Sequence, residues 1–132
     1  MSDPVNALLT AVHQRLTEDA DLVALVGNAI FDRRLSRKVL PALVTGHVER
    51  TDRGADGGGV AEIALSYEAW GESRREAEAV AGVARAALDE ARLSLVDGLH
   101  LVSLDHLKTL SRRPVGSALF VAEMRFRAAV EG

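Results

Sequence analysis

Apolar residues at the start of the chain recur at helical spacing. Asp3-Pro4 supplies an N-cap and a proline for the first helical turn, and Val5, Leu8, Leu9, Val12 and Leu16 follow every three or four positions. The spacing predicts an amphipathic helix over Val5–Thr17. Asp19 or Thr17 can cap a second, short helix through Leu22, Val23, Leu25 and Val26, which Gly27 can end in the left-handed conformation. Ala29–Asp32 reads as a short strand. Arg33, Arg34, Arg37 and Lys38 then crowd a window without apolar periodicity, which reads as a loop.

After Pro41 the period shortens from that of a helix to that of a strand. Ala42–Glu49 is β-rich, and Gly46 inside it implies a bulge or a close backbone approach. Arg50–Gly59, carrying Gly54, Gly57, Gly58 and Gly59, reads as a long hairpin-like loop. Ala61, Ile63, Leu65, Tyr67 and Ala69 next form one apolar face of a strand. Gly71 breaks it, and Ser73 with Glu76 forms a capping box for a long helix. The buried stripe of that helix is Ala77, Val80, Ala81, Ala84, Leu88 and Ala91, small enough to sit close to a sheet. Asp97-Gly98 makes a turn, and Leu99–Leu110 is a strand whose apolar side changes midway, as a bulge allows. Ser111–Ser117, with Arg112, Arg113, Pro114 and Gly116, is a second loop. Phe120, Ala122, Met124, Phe126, Ala128 and Val130 finally alternate with Val121, Glu123, Arg125 and Arg127.

The order α-(α)-β-β-β-α-β-β implies an α+β fold: a single mixed, mostly antiparallel sheet with two main helices packed on one face. No repeat or linker divides residues 1–132, so one domain is expected. Composition narrows the function classes. No cysteine is present, which excludes disulfides, thiolate metal sites and a cysteine nucleophile. The net charge of −3 argues against a domain built to grip nucleic acid. No apolar run reaches the ~20 residues of a membrane span, and Met1–Asp3 lacks the basic start of a signal peptide. The chain is 48% hydrophobic yet only 4% aromatic, so Ala, Val and Leu fill its core and little ring material remains for a ligand pocket.

Catalytic constellations are missing. Among the four histidines, His100 and His106 share a strand face by parity, but six strand residues separate them by ~20 Å. His47 and Glu49 share a face without an indicated third ligand. There is no nucleophile elbow, no Ser-x-x-Lys and no His-Glu-x-x-His, and Gly57-Gly58-Gly59 lacks the Lys-Ser/Thr of a phosphate loop. Two basic clusters, Arg33-Arg34-x-x-Arg37-Lys38 and Arg112-Arg113, are either solvated loop charge or contacts to phosphate or to a neighbouring subunit. Leu119 and Val121 on the charged side of the last strand indicate either contact with another chain or cover by the first helix.

The stretches "ALVG…IFDR", "PALVTGHVE", "YEAWGESRREAEAVA" and "LVSLDHLKTLSRRPVGSALFVAEMRFRA", in this order and spacing, span nearly the whole chain. They resemble the tail-completion, or tail-terminator, proteins of long-tailed phages and gene transfer agents. The resemblance implies a structural virion assembly protein without catalytic, cofactor or metal site. It implies a homo-hexameric ring capping the neck end of the tail tube, made in the bacterial host cytoplasm. The expected partners are the major tail-tube protein and a head–tail connector or stopper, with DNA passing through the lumen and no membrane involved. A mildly acidic ring suits DNA passage, since neutralising many phosphates would hold the duplex. Candidate subunit-interface or lumen contacts are Arg53 in the Gly-rich loop, Arg112 and Arg113, with Arg125 and Arg127 at a sheet edge. Arg33, Arg34, Arg37 and Lys38 are candidate loop contacts. The alternatives are another neck or connector ring, or a small ligand-binding α+β domain using His47, Glu49 and the Arg33/Arg34 loop.

Overall fold

The computed structural model of the chain describes residues 3–32, 39–53 and 59–132. Three helices and five strands follow in the order α1 (Pro4–Glu18), α2 (Ala20–Val26), β1 (Ile30–Phe31), β2 (Ala42–Arg53), β3 (Val60–Gly71), α3 (Arg74–Leu88), β4 (His100–Arg112) and β5 (Phe120–Glu131). The helix starts lie where the capping residues put them. Asp3 accepts from the Val5 amide at 2.9 Å, Asp19 from Leu22 at 2.9 Å and Ser73 from Glu76 at 3.1 Å, each satisfying an amide with no partner inside its helix. The Glu76 carboxylate reaches back to the Glu72 amide, one residue before the cap. The third helix stops at Leu88, three residues short of the expected Ala91, because Asp89 turns extended and Glu90 adopts a φ of 59°.

The sheet has the order β1-β2-β3-β5-β4, antiparallel except for β1 beside β2. The α+β expectation is met, with α2 added to the two main helices. All three helices cover one face. There Leu8, Val12, Leu16, Leu22, Val80, Ala84 and Leu88 meet Ile63, Tyr67, Met124 and Phe126 in a continuous core. Arg15 donates to the Ala87 carbonyl at 3.1 Å and ties α1 to the last turn of α3. Tyr67 and His106 both stand edge-on to the Phe126 ring, at 6.4 and 5.4 Å between centroids.

Three register shifts break the strict alternation that the sequence suggested. The first lies between Thr45 and Val48, at Gly46, where an added Cβ would stand 2.6 Å from the Ser66 hydroxyl. That hydroxyl instead accepts from the His47 amide at 2.7 Å, so bulge and close approach are one feature. Two more shifts lie in β4, at Leu101/Ser103 and His106/Lys108, and the first, between the two histidines, overturns the expected shared face of His100 and His106. His100 now pairs with Glu131 on the helix-free face, while His106 pairs with Phe126 over the core.

Both hairpins are longer in strand, and shorter in loop, than expected. Arg50–Arg53 belongs to β2, and Arg53 pairs with Val60. Ser111 and Arg112 belong to β4, where Arg112 pairs with Val121. The strand β5 is interior, so Arg125 and Arg127 do not lie at a sheet edge as expected. The long exposed edge is β4, and the segment after α3 partly covers it. The Glu90 amide donates to the Leu104 carbonyl at 2.8 Å, and the His106 amide to Asp89 at 2.9 Å. Two outward backbone groups are thereby withdrawn from pairing with another strand.

Candidate assembly surfaces

The helix-free face carries the charged alternates of β3 and β5, and its two ends differ. Toward the glycine-rich hairpin the charges pair within the chain. Glu62 receives Arg53 at 3.0 Å on one oxygen and Arg127 at 3.7 Å on the other, while Arg125 meets Glu123 at 3.3 Å. The Glu62 pairs are cross-strand, because Glu62 lies between β2 and β5 in the register, whereas Arg125 and Glu123 are neighbours along β5. Three of the candidate contact arginines are thus already held by acids of their own chain. Each pair is solvent-exposed and worth at most about 1 kcal/mol.

Toward the β4–β5 hairpin the surface is hollow. Asp32, Leu40, Val44, Glu68, Trp70, Glu72 and Leu119 line an open groove of about 980 Å³, walled on one side by Pro114 and Gly116–Ala118. The size suits a chain segment rather than a single side chain. Trp70, the chain's single tryptophan, donates to Glu68 at 3.2 Å. Val121 is completely buried at this end although no helix covers the face, which settles its environment against cover by α1. The loop is held as a tight turn. The Ser117 amide donates to the Pro114 carbonyl at 3.0 Å, and Gly116 supplies the positive φ of 77° that the third position of a type II turn requires. Arg74, stacked 5.4 Å from the Phe120 ring and donating to Ser111 at 2.6 Å, pins the hairpin base to α3. At the tip Val115 is fully exposed.

Arg112 and Arg113 lead into this turn and make no ion pair among the described residues, and neither do Asp32 and Glu72 in the groove. The sequence singled out the two arginines but not the groove. Its only signal was Trp70, lying on the polar alternation of β3 just before Gly71. Arg33, Arg34, Arg37 and Lys38 lie outside the described residues. His47 and Glu49 face a shallow hollow with Leu107 and Arg125, and among the described residues no three His, Asp or Glu side chains converge as a metal site would need. Burial raises the Tyr67 hydroxyl well above its ordinary value, against a hydrogen bond from Thr45, and keeps it neutral.

A family model described as tail completion protein gp17 matches residues 10–131. The chain belongs to this tail completion family. No curated protein sequence matches it. Among solved structures, a chain from the virion of a native gene transfer agent particle is similar over 100% of both chains, at 29% identity and a TM-score of 0.88. The tail completion protein is therefore a structural tail component, as the resemblance implied. Among its described residues no helix is long and apolar enough to cross a membrane. Its surfaces, rather than a pocket for catalysis, are where its function is to be sought.

Proposed function

We propose that this tail completion protein works as a single domain in a six-membered ring on the neck end of the tail tube. The ring stops tube polymerisation and presents the docking surface for the head connector. The major tail-tube protein lies on one side, the connector or stopper on the other, and DNA passes through the lumen without sequence-specific contact. It needs no cofactor and performs no catalysis. The observation that carries this reading is the full-length likeness to a chain of a gene transfer agent virion, at a TM-score of 0.88 and 29% identity. The physical design supports it. One layer of helices braces one face of the sheet and leaves the other free, and the net charge of −3 does not favour holding passing DNA.

Imaging of purified particles tests the proposal, together with particles made in cells lacking this chain. Six copies are expected between tube and connector. Without the chain, tubes should vary in length and carry no heads. Tubes of normal length with heads attached in its absence would overturn the reading, and density at the connector position would assign the protein to a different neck ring.

A further inference from the structure

Val115 is a large apolar side chain held fully in water on a tight turn, not on a frayed one. It cannot enter the groove beside it, because its neighbours Pro114 and Gly116 form that groove's wall. Arg112 and Arg113 stand just before this knob and form no ion pair with any described residue. The groove is lined by Leu40, Val44 and Trp70 and carries Asp32 and Glu72, which likewise form no ion pair with any described residue. The knob matches the apolar part of a groove it cannot fold back into, and the cations beside it are opposite in charge to the acids of that groove.

We infer that the β4–β5 turn of one copy docks in the Trp70 groove of the next, with Val115 against Trp70 and Leu40 and with Arg112 and Arg113 facing Asp32 and Glu72. The contact uses different surfaces on the two copies. It is therefore head-to-tail and closes into a ring when the rotation between copies permits. Burying the valine displaces water from both partners, and the charges set the register between copies. The inference rests on the ring reading above and adds the residues that join its subunits.

The absence of cysteine gives a clean test. Val115→Cys combined with Glu72→Cys, and separately with Leu40→Cys, is placed in the full chain in particle-producing cells. Purified particles are then treated with a short bismaleimide, which joins two cysteine thiols through thioether bonds. Either pair is expected to give a covalent ladder extending beyond dimer to six copies, whereas Val115→Cys alone gives none. A protein present in particles that yields no ladder, or only dimer, overturns the turn-in-groove contact while leaving the ring reading intact. A protein missing from wild-type particles overturns both. Charge exchange guards against misfolded variants. Asp32→Arg and Glu72→Arg should restore the assembly lost in Arg112→Glu/Arg113→Glu to within about tenfold of wild type, the scale on which like charges brought together at an interface act. Failure of that rescue in folded protein also counts against the contact.

Discussion

The two ends of the helix-free sheet face carry similar residue types and use them differently. At one end Arg53 and Arg127 lean on Glu62 of the strand between them, and Arg125 on Glu123 of its own strand, so these three arginines are paired within the chain. At the other, Arg112 and Arg113 stand before an exposed valine beside a groove whose Asp32 and Glu72 form no ion pair with any described residue. The difference teaches that an arginine's place in the register, not its presence in a basic cluster, decides whether it is available to a partner. Cross-strand neighbours satisfy charges in the middle of a sheet. Arg112 lies opposite Val121 at the end of its ladder and Arg113 lies beyond it, so neither has an acid opposite it.

The comparison can be tested by variants, beginning with the largest effect. Phe126→Ala removes the ring that Tyr67 and His106 both touch and that lies under both ends. It should cost about 3–5 kcal/mol in urea denaturation, setting the scale on which neither surface matters for stability. Next, Arg112→Glu/Arg113→Glu should reduce head-to-tail joining by more than about tenfold, since like charges brought together at an interface cost several kcal/mol. Its melting temperature should stay close to wild type. Particles that assemble normally with both charges reversed would break the distinction between the ends. Glu62→Gln should do the converse, with a stability loss of at most about 1 kcal/mol that disappears at high salt, and no change in assembly.

The smallest effect lies between the two ends, on β4. Burial and the nearby Arg85 guanidinium lower the basicity of His106, with Asp89 partly opposing them. The folded chain thus binds this proton less readily than the unfolded chain, whose histidine titrates near about 6.5. Stability is therefore complete above that pH and declines as pH falls from it toward the lower folded value. His106→Gln should flatten this part of a stability–pH curve measured by urea denaturation. A slope unchanged by the substitution would place the titration elsewhere.

Local signals were readable where a residue acts on its own backbone. Asp3, Asp19 and Ser73 cap the helices that their spacing marked, and the apolar alternates of β3 and β5 face the core as read. Parity failed where an extra residue entered a strand. The change of apolar side along β4 signalled a bulge but not its position, and the shift between Leu101 and Ser103 puts His100 and His106 on opposite faces where simple parity put them on one. Strand order was not legible either, because β5 joins β3 through pairing between residues far apart in sequence, as in Val60 with Glu131 and Gly71 with Phe120. For that reason Arg125 and Arg127 seemed to mark an edge. Arg112 and Arg113 could be named as contacts from charge alone, but the groove could not. Its lining comes from β2, β3 and two loop regions that only the folded sheet brings together.

One further consequence follows from the way the segment after α3 covers β4. On the proposed reading, a subunit that caps a tube must stay folded and unpolymerised until the tube end is ready for it. An open thirteen-residue border strand would meanwhile invite stacking into fibrils. By occupying the Leu104 carbonyl and the His106 amide, Glu90 and Asp89 interrupt that border at its middle. The opposite border, β1, is only two residues long. Both borders of the sheet are therefore poor templates for adding a strand from another molecule.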